Sequence, residues 1–219
     1  MHIPDGFLNG ATVATTAVAS AGGLGAAVKM AGRHLGERKI PLMGMMGAFI
    51  FVAQMLNFPV AGGTSGHILG TALAVILLGP WAAIVVMSLV LIAQCLIFQD
   101  GGLLALGANV LNMGIIAGLG AHVVYRLLIK FLGEDRCLAA GFAAGWFSVF
   151  IASVATALEL AVSGTVPLGT VLPAMAGVYA LVGIGEGFAT AAVLGLLRAA
   201  RRDLLKPISI GGQWERNEQ

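Results

Sequence analysis

This chain has little charge. Of its 219 residues, 12 are Lys or Arg and 10 are Asp or Glu, together 10%, where soluble domains carry about 25%. An ordinary water-soluble domain is excluded. Hydrophobic residues make up 58% of the chain, and the mean hydropathy is +0.95. Strict alternation of apolar and polar residues is missing, which argues against a β-barrel. The two cysteines, Cys95 and Cys137, fall in or beside apolar runs, so neither a disulfide framework nor a Cys-x-x-Cys metal site is readable. No basic region precedes the first apolar run, so no signal peptide and no cleavage are expected. There is no Gly-x-x-x-x-Gly-Lys-Ser/Thr nucleotide loop and no His-Glu-x-x-His helix, so neither an ATPase nor a zincin-type enzyme is written here. Nor is there a convincing internal repeat, which an autonomous secondary carrier usually shows. The pI near 8.7 reflects basic loops and does not point to nucleic acid.

What is present is a series of recurring apolar stretches, and a helix that crosses a bilayer needs about 20 residues. The sequence predicts an all-α, polytopic membrane protein, one transmembrane domain over residues 1–219. Residues 1–10 form an N-terminal loop, 11–197 a seven-helix bundle and 198–219 a tail. The predicted helices run from Ala11 to Met30, Pro41 to Leu56, His67 to Leu78, Trp81 to Phe98, Leu103 to Leu132, Cys137 to Val162 and Pro173 to Leu197. The third is short for a span and is expected to be tilted or partly inserted. A six-helix alternative merges it with the fourth across Gly79-Pro80. The 32 glycines suit close helix packing in lipid, where small residues let backbones approach.

Charge placement orients the bundle. With seven spans, Lys29, Arg33, Arg38 and Lys39 share a side with Arg126, Lys130 and Arg136 and with the C-terminal Arg198, Arg201, Arg202, Lys206 and Arg216. These clusters hold all 12 basic residues. Basic loops stay in the cytoplasm, so the C-terminus is expected inside and the N-terminus outside. The outer face then receives residues 1–10, the loop Asn57 to His67, the loop Gln99-Asp100-Gly101-Gly102 and residues 163–173. Without a Lys or Arg and rich in Gly, these loops are suited to fold inward into a small polar cup.

His2 is the unusual residue of that face. The α-amine of Met1, the amide nitrogen of His2 and its imidazole Nδ1 can close a five- and a six-membered chelate ring on one metal ion. Three planar nitrogens suit Ni(II) or Cu(II). The amide must lose its proton to bind, so uptake releases protons and weakens in acid. The alternative is a frayed terminus. His67 is the other histidine placed outside, and its imidazole is the fourth donor the square lacks. His34 reads as solvated surface and His122 as a hydrogen-bonded packing residue. Asp5, Asn57, Ser65 and Asn109 are candidate supporting residues. Asn57 and Asn109 are placed to orient ligand imidazoles, with interhelical hydrogen bonding as their other reading; Asp5 is placed to cap local amides. Glu159 and Glu186 are the intramembrane carboxylates, functional candidates by default. The methionines on the second helix read as packing.

Met1-His2-Ile3-Pro4-Asp5-Gly6-Phe7, Gly62-Gly63-Thr64-Ser65-Gly66-His67 and Gly101-Gly102-Leu103 through Gly107-Ala108-Asn109 resemble the NikM/CbiM type. These are the substrate-binding membrane subunits of energy-coupling factor (ECF) transporters for nickel and cobalt, a class of ABC importer. The likeness covers nearly the whole chain, and the N-terminal motif together with the histidine loop is highly specific. It implies a seven-helix subunit in the plasma membrane that captures a divalent metal from outside through Met1, His2 and His67. It also implies a transmembrane coupling subunit, two cytoplasmic ATPases and a small additional membrane subunit on a separate polypeptide. Ala17, Ala21 and Gly25, with Gly44 and Ala48, are candidate faces for the coupling subunit, with packing inside the bundle as their other reading. Relatives assigned to cobalt often begin Met-His-Ile-Met-Glu-Gly. Pro4-Asp5 here leans toward Ni(II) as the transported substrate, with Co(II) as the alternative.

Overall fold

A computed structural model describes residues 1–36, 39–55, 58–60 and 64–205. Seven helices account for almost all of it: α1 (Gly10–His34), α2 (Ile40–Met55), α3 (Thr71–Leu78), α4 (Pro80–Phe98), α5 (Leu106–Leu132), α6 (Cys137–Val162) and α7 (Leu168–Ala200). Between α2 and α3 lie two three-residue strands, β1 (Phe58–Val60) and β2 (Thr64–Gly66), antiparallel with Phe58 opposite Gly66 and Val60 opposite Thr64. Five of the helices are long and apolar enough to cross a membrane, and α2 is a shorter apolar helix. At about 1.5 Å per residue, α2 covers about 24 Å and α3 only about 12 Å.

The predicted boundaries hold within one residue for α2, α4 and α6. Four helices differ more, among them α5, which begins at Leu106 rather than Leu103 because Asp5 holds the amides of Leu103 to Ala105 in a turn. Helix α1 continues to His34, four residues past the expected end, and its start is capped by Asn9, whose side chain accepts the Thr12 N–H at 2.8 Å. Helix α7 begins at Leu168, so Pro173 lies inside it. Proline punctuated the sequence there, but losing one internal N–H is tolerable in a long apolar helix, and the connection from α6 shrinks to residues 163–167. Helix α3 begins at Thr71 rather than at His67, because Gly70 adopts φ +75° and the peptides before it are held by tertiary contacts.

Helices α3 and α4 are separate, broken at Gly79 (φ 86°, ψ 163°), with Pro80 opening the next helix. All of α3 except Ile76 is buried. It is therefore a core helix, preceded by the non-helical His67–Gly70 segment. Irregular backbone at such depth persists only where protein buries it and satisfies its polar groups. Helices α6 and α7 pack most closely. A methyl on Gly187 would sit 2.8 Å from the Phe142 carbonyl, so only glycine fits there. Helix α5 carries a π-helical stretch, Val110–Ile116. At one end of the bundle, Arg198 of α7 bonds Asp135. The N-terminal segment and the loops after α4 and α6 gather at the other end.

Candidate metal-capture site

The first five residues form a strap laid over the start of α5. Asp5 accepts the N–H groups of Leu103 (3.0 Å), Leu104 (2.8 Å) and Ala105 (3.2 Å). Expected to cap amides near itself, it instead caps amides about a hundred residues away, which ties the strap to the turn that opens α5. Gly102 fits under it because any side chain would collide with Asp5: a Cβ would lie 2.3 Å from the Asp5 nitrogen. Further in, Asn109 clasps the Ile3 peptide groups from α5. Its Oδ1 accepts the Ile3 N–H at 2.8 Å, and its Nδ2 donates to the Ile3 carbonyl at 3.2 Å. The same carbonyl accepts the Gly102 N–H at 2.9 Å. Asn109 thus positions the backbone beside His2 and not an imidazole.

This strap delivers the terminus into the core. Met1 is 6% exposed and His67 1% exposed. The Met1 amine lies 3.5 Å from His67 Nε2, and the rings of His2 and His67 stack with centroids 4.8 Å apart. The fraying alternative for the terminus is excluded by this burial. All three nitrogen-bearing residues singled out in the sequence therefore meet at one point. His67 Nδ1 contacts the Ile68 carbonyl at 3.2 Å; with the proton on Nδ1 donated there, Nε2 keeps its lone pair toward the amine.

Asp100 completes the cup and was not among the candidates. The αL residue Gln99 (φ 55°) ends α4 and turns the chain so that the Asp100 N–H also reaches the Gln94 carbonyl. The Asp100 carboxylate then contacts His2 Nδ1 at 2.9 Å. With Asp5 it is one of two carboxylates on loops that lack any basic residue, and that was the available signal. Asn57 lies outside the described residues. Of Ser65 only the backbone, in β2, is described. Asn112 donates to Glu159 at 2.7 Å and to Thr156 at 3.2 Å, away from the strap. His122 sits near the basic end and lines a cavity of about 820 Å³ with Arg126 and Lys130; its Nε2 is buried and finds no partner among the described residues, so the hydrogen-bonded role expected of it is not seen for that nitrogen.

Burial sets the protonation of the cup. It lowers the Met1 amine to a pKa of about 5, partly opposed by the Asp100 charge. It pushes His67 well below the ordinary imidazole value, helped by the amine and by His2. The hydrogen bond from His2 holds Asp100 below the usual carboxylate range against its own partial burial. At neutral pH the cup presents an unprotonated amine and a neutral imidazole beside a negative carboxylate, which is an arrangement for a cation. Side chains alone do not supply the donors: among the described residues no cluster of three His, Cys, Asp or Glu side chains is placed to hold a metal.

Apolar helices of spanning length around a buried polar cup at one end define a helical membrane protein. The chain belongs to the family described as "Cobalt uptake substrate-specific transmembrane region", which matches residues 2–204. It is 41% identical to a putative fused nickel transport protein NikMN of Archaeoglobus fulgidus over 215 residues, 97% of this chain and 70% of that one. It is 40% identical to a putative metal transport protein of Haloquadratum walsbyi, covering 94% and 93%. The crystal structure of a truncated transition metal transporter is similar at a TM-score of 0.85 and 33% identity, over 91% of this chain and 99% of that one.

Proposed function

We propose that this chain is the substrate-specific membrane subunit of an energy-coupling factor importer, and that it captures Ni(II) from outside the cell. The observation that carries the proposal is the buried meeting of the Met1 amine, His2 and His67 next to Asp100. The amine, the deprotonated His2 amide, His2 Nδ1 and His67 Nε2 make four nitrogen donors, the set that planar Ni(II) prefers. A divalent ion on one deprotonated amide keeps a single positive charge, which Asp100 balances. His2 Nδ1 contacts Asp100, so capture exchanges that contact for the metal. Co(II) is the second reading, favoured by the family's description.

The orientation rests on charge. The cup loops lack Lys and Arg, while Arg126, Lys130, Arg136 and Arg198 lie toward the opposite end, which the positive-inside rule places in the cytoplasm of a cell-membrane protein. Partner ATPases and a transmembrane coupling subunit drive inward release, accompanied by a small additional membrane subunit. Ala21, Gly25, Gly44 and Ala48 are exposed, as faces for close packing against the coupling subunit require. Ala17 is exposed as well, although its backbone also lies against Gly107 of α5.

Radioactive nickel uptake in cells carrying this chain with its partners tests the transport reading. Uptake that collapses when the ATPases are catalytically dead supports it. Undiminished uptake by the chain alone would point to an autonomous carrier.

A further inference from the structure

Glu186 is a carboxylate in the middle of an apolar helix, 1% exposed. Burying such a group is costly unless its acceptors are used. Both are used here, and on one segment. Glu186 Oε2 accepts the Leu69 N–H at 2.7 Å and Oε1 accepts the Gly70 N–H at 2.8 Å. Each of those N–H groups belongs to a peptide unit whose carbonyl is also engaged. The Leu69 N–H shares its peptide with the Ile68 carbonyl, which contacts His67 Nδ1 at 3.2 Å. The Gly70 N–H shares its peptide with the Leu69 carbonyl, which accepts from Gln54 Nε2 at 2.8 Å. Gly70 is also tightly packed, since a Cβ there would lie 2.9 Å from Ile50.

We infer that Glu186 is a positioning residue for metal capture, acting through one peptide unit to fix the orientation and tautomer of His67. The chain of contacts runs from the carboxylate to the Leu69 N–H, through the rigid peptide plane to the Ile68 carbonyl, and on to His67 Nδ1. With its Nδ1 proton held by that carbonyl, His67 must leave Nε2 unprotonated and directed at the Met1 amine. A carboxylate that holds a ligand histidine by its far nitrogen is the usual support of a metal site; here a peptide group is inserted between the two. The arrangement accounts for a polar group that packing alone does not require. His67 lies on non-helical backbone because the left-handed Gly70 (φ 75°) delays the start of α3 to Thr71. The inference rests on the reading of His67 as a ligand.

Substitution of Glu186 by Gln is the informative change. An amide has one carbonyl oxygen, so one of the two N–H groups loses its acceptor and faces an NH2 instead. Nickel would be titrated into purified wild-type, Glu186→Gln, Gln54→Leu and His67→Ala proteins in detergent, with the visible ligand-field band and the melting temperature recorded for each. The expected result for Glu186→Gln is a folded protein whose nickel affinity drops at least about tenfold, with its band moved toward that of His67→Ala. Gln54→Leu frees only the adjacent carbonyl and shifts both in the same direction by less, and it decides the matter if Glu186→Gln does not fold. A role in stability alone would lower the melting temperature and leave the band of the bound fraction in place. Wild-type affinity and an unmoved band in folded Glu186→Gln, or in Gln54→Leu if only that variant folds, would overturn the inference. If His67→Ala also leaves the band unmoved, His67 is not a ligand and the reading beneath the inference fails with it.

Discussion

Asn109→Ala isolates the strap from the metal donors. Asn109 is 2% exposed, touches neither imidazole by hydrogen bond, and holds Ile3 through both peptide groups. Its removal does not leave both of those groups bare. The Ile3 carbonyl keeps its bond from the Gly102 N–H, so the principal loss is the buried Ile3 N–H, at about 1–3 kcal/mol for an unsatisfied donor. A central value of about 2 kcal/mol corresponds to about thirtyfold in an equilibrium constant. Because the variant disfavours the seated strap while leaving every donor in the chain, metal must supply that ordering energy, and the deficit is read as weaker binding. Titration of nickel against a competing chelator on the purified protein measures it. Asn112→Ala, which removes bonds to Thr156 and Glu159 but none to the strap, is the matched control and stays within about threefold of wild type. An Asn109→Ala protein that binds like wild type, or an Asn112→Ala protein that loses as much, would refute the argument that the strap is seated by Asn109.

Other consequences are equally measurable. Asp5→Ala uncaps three amides at the start of α5; Asp5 is exposed, so the cost should stay near that of an ordinary cap, about 1 kcal/mol, seen as a lower melting temperature in detergent with a parallel loss of nickel affinity. The pH profile of binding should show no amine step near 8. With the Met1 amine lowered to about 5, it stays unprotonated as pH falls from 8. Below about 5 it gains a proton that metal must displace, so affinity should fall more steeply there; an inflection at 8 would mean that the amine is not buried as described.

The bundle was legible because its signal is redundant. The apolar run between Gly79-Pro80 and Gln99-Asp100-Gly101-Gly102, and the one that follows Glu134 to Arg136, specify α4 and α6 almost to the residue. Glu134 to Arg136 and Pro80 mark the starts of α6 and α4 by ordinary local chemistry. The donors were legible for the opposite reason, scarcity: with four histidines in the chain, a second-position His and one in a glycine loop stand out. What could not be read depends on contacts between residues far apart in sequence. His67 resembled the opening of a helix, but the left-handed Gly70 delays α3 to Thr71, and the N–H groups of Leu69 and Gly70 go to Glu186, more than a hundred residues later. Pro173 resembled a helix start because no local rule reveals that α7 begins earlier. Asp100 sat in view on a loop without basic residues, yet its meeting with His2 depends on the left-handed turn at Gln99. Asp5 was expected to act locally, and its partners are the amides of Leu103 to Ala105.

The central claim is that the chain's own first nitrogen is a metal donor. The direct measurement is nickel binding by purified protein with its authentic N-terminus, beside the same protein carrying one extra residue before Met1. The extension converts the amine into an amide, displaces the free terminus and leaves every side chain unchanged. Near-stoichiometric binding with a planar-nickel absorption band in the authentic protein, lost on extension, is the expected result. Full binding with the same band in the extended protein would contradict the account, and would direct attention to carboxylates such as Glu159 for the site.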